Sequence, residues 1–160
     1  MVKFEKIDDH NFYECIALSV SDEQKNFVAS NLYSIAQAYT HLTNELCIPM
    51  PYAIYHDATM VGFIMLSYDP VLEGEKIYEE PVYAIWRLMI DKKYQGRGYG
   101  RQAMVKAIEL IRKFLHGETK KAVLSYEPHN SVARKLYASL GFVETGEMDG
   151  DEVIVILDLT

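Results

Sequence analysis

The 160 residues are 49% hydrophobic and 24% charged, with 9 glycines and 5 prolines, a balance that excludes collagen-like, low-complexity and disordered chains. The formal net charge of −7 argues against non-specific nucleic-acid binding, which needs a basic footprint, and suits a cationic small-molecule ligand. Cys15 and Cys47 lie too far apart for a C-x-x-C pair, and no run approaches 18 consecutive apolar residues, so neither a disulfide framework, a zinc motif nor a membrane span is expected.

The start, Met1 to Asp9, carries no apolar stretch of the signal-peptide kind. With no repeat or linker, the expectation is one cytoplasmic domain over 1–160. Ile7 to Val20 reads as a helix, with Phe12, Cys15, Ile16 and Ser19 on one face. Ser21-Asp22-Glu23-Gln24 is a capping box that opens a second helical stretch through Phe27, Val28, Leu32, Ile35, Ala36 and Tyr39. Pro49 and Pro51 close this region. Tyr52–Tyr55 and Met60–Leu66 form a hairpin signal, and Asp69 to Pro81 is a polar loop. Val82 to Ile90 is almost continuously apolar, the mark of a strand covered on both faces and central in its sheet.

A helix striped by Ala103, Met104, Ala107, Ile108, Ile111, Phe114 and Leu115 follows, ended by Gly117. Lys121 to Tyr126 is a further strand. Asn130 to Leu140 is a helix stopped by Gly141, and Phe142 to Leu159 is a closing hairpin around Asp149-Gly150. The order ααββ(loop)βαβαββ predicts a mixed α/β domain.

Between the central strand and the striped helix lies Gln95-Gly96-Arg97-Gly98-Tyr99-Gly100-Arg101. Glycines there let the backbone approach a ligand, and the helix N-terminus adds unpaired N–H groups and partial positive charge. That combination is a phosphate site, with Arg97 and Arg101 adding charge from the side. A Rossmann fingerprint would need glycine where Arg101 stands, and no G-K-[ST] triplet provides a Walker loop.

The glycine turn, together with Asn130-Ser131-Val132-Ala133-Arg134-Lys135-Leu136-Tyr137-Ala138-Ser139-Leu140-Gly141-Phe142 after the next strand, resembles the GCN5-related N-acetyltransferases (GNAT). Within them the stretch Trp86 to Gly100 looks most like the bacterial spermine/spermidine N-acetyltransferases. The resemblance implies one mixed central sheet flanked by helices, with splayed strands at an acetyl-CoA site. It implies that the pyrophosphate rests on Gln95 to Arg101, and that the pantetheine arm pairs with Leu88, Met89 and Ile90. Asn130 and Ala133 would complete the cofactor site, and Tyr137 would protonate the departing thiolate. A phenol, protonated at neutral pH, suits that task.

The acceptor amine must also lose a proton. Glu127 at the end of its strand is the first candidate, with Glu79, Glu80, Tyr83, His10 or a water chain as alternatives. A polyamine wants carboxylates and aromatic faces, which singles out Glu79 and Glu80, in an acidic loop with Glu73 and Glu75, together with Tyr83 and Trp86. His41, His56, His116 and His129 have no metal-ligand spacing and read as surface residues, so no metal is expected. The rival readings are acetyl transfer to another amine (a protein N-terminus or an aminoglycoside) and a non-catalytic acetyl-CoA-binding module. A homodimer is left open.

Overall fold

The computed structural model describes residues 1–70 and 79–160. Among these residues seven strands form one sheet in the order β1-β2-β3-β4-β5-β7-β6. They are β1 (Val2–Lys6), β2 (Ile48–His56), β3 (Thr59–Asp69), β4 (Val82–Ile90), β5 (Lys121–Tyr126), β6 (Val143–Asp149) and β7 (Glu152–Asp158). The helices are α1 (Phe12–Ala17), α2 (Asn31–Thr43), α3 (Tyr99–Ile111) and α4 (Ser131–Ser139). One core lies between the sheet and α3 with α4, built on Ile64, Leu66, Ile85, Met104, Ile111 and Leu124. A second lies on the opposite face against α1 and α2, built on Cys15, Ala38, Phe63, Met65 and Met89. Each such buried aliphatic side chain contributes about 1.5–3 kcal/mol relative to exposure.

β4 and β5 have the bounds the sequence predicts, and β4 is the middle strand. The N-terminal part differs. The expected helix from Ile7 shrinks to α1, because Asp8 and Asn11 bond each other's backbone N–H groups and hold a turn there. Val2–Lys6 is an edge strand, unrecognised because only Val2 and Phe4 carry its alternation. The Ser21–Gln24 capping box forms, but on a single 3-10 turn, while α2 opens ten residues later with Ser30 Oγ accepting from Tyr33 N. Pro49 and Pro51 lie inside β2 rather than before it. β1 pairs only with Tyr52–His56, so both prolines fall on an unpartnered edge where a missing N–H breaks no ladder. Of the expected Asp69–Pro81 loop, 71–78 lies outside the described residues, and Glu73 and Glu75 with it.

Two irregularities shape the site. Along the β3–β4 ladder Met65 faces Arg87 and Leu66 faces Ile85, so Trp86 is an extra residue, a bulge of the kind found beside active sites. β4 then pairs with β5 only at Tyr83↔Ala122 and Ala84↔Val123, after which the parallel strands separate. At the far edge, Thr145 to Glu147 break the β6–β7 ladder between Glu144 and Met148.

Candidate active site

The end of β4 is held by a buried carboxylate. Asp91 accepts from Ser19 N and Lys93 N, both at 2.9 Å, while its own N–H donates to Val61 O at 2.8 Å. Gln95 Nε2 donates to Ile90 O at 2.9 Å and to Gln24 Oε1 at 2.8 Å, tying the turn to β4 and to the 3-10 turn. Gly96 and Gly98 have φ of +76° and +81°, the left-handed region that favours glycine, and a Cβ at either would meet nothing within 4 Å. The open space is therefore on the outside of the turn. Gly98 is the N-cap of α3 and offers no capping side chain, so the first N–H groups of α3 face that space. This is the geometry of an anion site.

A cleft of about 1390 Å³ runs from this turn between the separated strands to the other face of the sheet. On the α3 side it is lined by Leu88, Ile90, Gln95, Gly96, Gly98, Tyr99, Gly100, Arg101, Asn130, Ala133 and Tyr137, and Met89 borders it too. Asn130 caps α4, its Oδ1 accepting from Ala133 N at 3.2 Å, which leaves the amide NH₂ to serve a ligand. Arg101 donates to Ser139 Oγ at 2.7 Å. Arg97 is not a lining residue, and its guanidinium stacks over the Tyr94 ring. Tyr137 packs between Tyr126 and Phe142, at centroid distances of 5.9 and 6.1 Å. Burial, with the charge of Glu152 added, pushes its phenol up to about 12. The proton is thus retained throughout the neutral range.

On the opposite face the lining changes character. Asp69 and Ser67 from β3, Trp86 and Arg87 from β4, Ser125 from β5 and Glu152 from β7 border the cleft, over a floor of Ala84, Val123 and Ile154. The bulge lets Trp86 and Arg87 both reach the α2 side: Trp86 meets the His41 ring edge-on at 4.8 Å, and Arg87 Nη2 donates to Gln37 Oε1 at 2.9 Å. Among the described residues Arg87 Nε is buried without a hydrogen-bond partner, and burial lowers the pKa of the group. Burial raises the pKa of the Asp69 carboxyl, against the pull of Ser67 and His41. Cys47 lies with its Sγ 3.8 Å from His41 Nδ1, but burial pushes its thiol up to about 11, so it is no nucleophile.

The Acetyltransferase (GNAT) family model matches residues 12–142. The chain belongs to the GNAT family. It is accordingly an acetyl-CoA-dependent N-acetyltransferase. Over 158 residues it is 26% identical to the spermine/spermidine N(1)-acetyltransferase of Bacillus subtilis (strain 168), covering 96% of this chain and 97% of that one. Its fold is that of the spermidine N-acetyltransferase from Vibrio cholerae solved with CoA and spermine (TM-score 0.67, 16% identity, 98% and 95% of the two chains). It is equally that of an aminoglycoside acetyltransferase solved with CoA and kanamycin (TM-score 0.75, 16% identity, 99% and 95%).

The remaining residues expected in this GNAT site lie elsewhere. Tyr83 is 1% exposed in the α3-side core, donating to Gly117 O and accepting from His116 N, because β4 alternation turns it away from the cleft. Glu80 pairs with Lys120 at 3.0 Å on the outer surface, and Glu79 is not a lining residue. Glu127 is outside the cleft lining, its Oε2 accepting from His129 N at 2.8 Å. His10 is exposed beside Asp9. Asp69, Arg87, Ser125 and Glu152 went unrecognised. Asp69 had a signal: Phe63, Met65, Ser67 and Asp69 form one alternating face that turns polar toward the end of the strand. Among the described residues no group of three or more His, Cys, Asp or Glu side chains is placed to hold a metal, and no helix is long and apolar enough to cross a membrane.

Proposed function

We propose that this enzyme transfers the acetyl group of acetyl-CoA to a primary amine of a polyamine, spermine or spermidine, with Tyr137 as the acid. The observation that carries the reading is the cleft through the sheet, with an anion site at one mouth and the half-buried Tyr137 lining the passage.

The first-turn N–H groups of α3, with Gly96, Gly98, Gly100 and the Arg101 guanidinium, would hold the pyrophosphate. The free edge of Leu88 to Ile90, which has no β5 partner, offers main-chain groups to the amide-bearing pantetheine arm, and Asn130 and Ala133 border the same passage. The thioester then comes to the split between β4 and β5. An amine arriving from the α2 side attacks the carbonyl carbon directly, and the C–S bond breaks as the sulfur takes the Tyr137 proton. Burial keeps the phenol protonated at neutral pH, so a proton is available to hydrogen-bond to the departing sulfur as negative charge builds on it.

The polyamine acceptor is supported by the relatives at 26–27% identity, which carry spermine in their names. It is supported also by Asp69, a poorly solvated carboxylate in the α2-side lining that Trp86 also borders, which an ammonium group would complement. The test is a thiol-release assay with acetyl-CoA and a panel of spermine, spermidine, kanamycin and a peptide with a free N-terminus. Preferred turnover of the polyamines is expected. Turnover of kanamycin or the peptide alone overturns the acceptor assignment, and thiol release with none of them overturns the amine reading as a whole.

A further inference from the structure

The cleft is bordered by four carboxylates among the described residues: Glu23, Asp69, Asp149 and Glu152. Three are set apart from the split by their place in the fold or by full exposure. Glu23 belongs to the 3-10 turn beside the glycine turn, and Asp149 is exposed on the β6 rim. Asp69 pairs with Val82, level with the closed end of β4 and β5, whereas the strands open only beyond Ala84. Glu152 is different. It opens β7 next to Val153, the ladder partner of Tyr126, and the Tyr126 ring lies 5.9 Å from that of Tyr137. Its Oε2 accepts the Ser125 hydroxyl at 2.5 Å, which anchors one oxygen on the α2-side face. Across the cleft stands Arg87, whose guanidinium its charge also reaches.

We infer that Glu152 is the group that takes the proton from the acceptor's ammonium, a role for which the chain position of Glu127 has no geometric support. The inference rests on the acetyl-transfer reading above. An incoming R–NH₃⁺ gives one proton to Glu152, which passes it to solvent. The freed lone pair forms the N–C bond at the thioester carbonyl, and the C–S bond breaks with its electrons on sulfur. Sulfur takes the Tyr137 proton, and the proton then shed by the new amide nitrogen restores the phenol. The products are the N-acetylamine, CoA thiol and one released proton. Acid and base thus face the same split from different elements, α4 and β7, and the Ser125 hydroxyl keeps the carboxylate turned into the cleft. Such a separation of acid and base roles between neighbouring groups is how one site handles both proton transfers.

The groups facing Glu152 are Arg87 from β4, Ser125 from β5, Tyr137 from α4 and Asp149 across the hairpin from it. Tyr137 is held near 12, so it stays protonated across the range of the test. Glu152→Gln should keep acetyl-CoA affinity and the melting temperature, and should lower kcat for spermidine about 10²-fold at neutral pH. The deficit should close as pH rises toward the amine's own pKa of about 10, because free amine then arrives without a protein base. Glu152→Asp should recover part of the rate at neutral pH, since it keeps a carboxylate. A deficit that is constant with pH, or that lies in KM alone, overturns the proposal. The acceptor reading fails separately, on the wild-type panel, and the Glu152 comparison is then made with whichever amine the wild-type enzyme accepts.

Discussion

At the α3 mouth of the cleft the ligand-facing groups are main-chain N–H groups freed by Gly96, Gly98 and a helix start. At the α2 mouth they are the side chains of Asp69, Trp86, Arg87, Ser125 and Glu152, drawn from four strands. The first mouth is therefore written in a continuous stretch of fewer than ten residues, and its chemistry follows from backbone conformation. The second exists only when β3, β4, β5 and β7 are laid side by side and β4 bulges at Trp86. The first mouth is built mainly from backbone groups, the second from side chains.

Five variants sharpen or break that contrast. The largest effect should come from Tyr137→Phe, between the two mouths: about 10²–10⁴-fold lower kcat with acetyl-CoA affinity retained, measured by thiol release and calorimetry. Wild-type turnover would reduce Tyr137 to a core ring. Next, Gly98→Asp should weaken acetyl-CoA binding tenfold or more, because it sets a negative charge against the phosphates at the anion site while Asp, like Asn, tolerates the left-handed backbone there. Gly98→Asn, which tolerates that conformation without the charge, should lose far less. Equal losses in the two would mean that conformation alone matters there.

A smaller effect is expected from Asp69→Asn, a several-fold rise in KM for spermine with kcat little changed. The same substitution should raise the melting temperature at neutral pH. Burial raises the Asp69 pKa, so the folded state binds the proton more tightly, and its ionisation costs stability as pH rises through that pKa. Near pH 3, where the carboxyl is largely protonated folded or unfolded, the gain should vanish. A gain that persists there would come from packing instead. Smallest of all, Glu79→Gln with Glu80→Gln should leave the spermine KM within about twofold, since Glu80 is engaged with Lys120 outside the cleft. A larger rise would return the acceptor to that surface.

Legibility followed the same division. β4 and β5 were readable because nearly continuous apolar runs have few alternatives, and the glycine turn and the Asn130 cap were readable because each is local. The bulge at Trp86 was not, since an extra residue in an apolar run leaves no mark on its pattern. Glu127 follows β5 directly in sequence, but its side chain does not join the cleft lining that Tyr126 and Asn130 share, its carboxylate closing the turn at His129 instead. Glu152 stands 25 residues later in the chain and returns to the site only through the antiparallel register that sets Tyr126 against Val153. Tyr83 shows the reverse error, an aromatic beside the site in sequence that strand alternation sends into the core.

The interruption of β6 has a bearing on how the sheet ends. An exposed edge strand is ordinarily a template on which another chain can build. Here β6 meets β7 at Val143 and Glu144, then again at Met148 and Asp149, with Thr145 Oγ1 reaching across to Ile154 O between them. The outer row of N–H and C=O groups is thereby cut into two short pieces. At the opposite edge β1 offers only five residues, two of them lysines. The fold is thus protected at both margins against growing by accretion of strands, by kinking one border and curtailing the other.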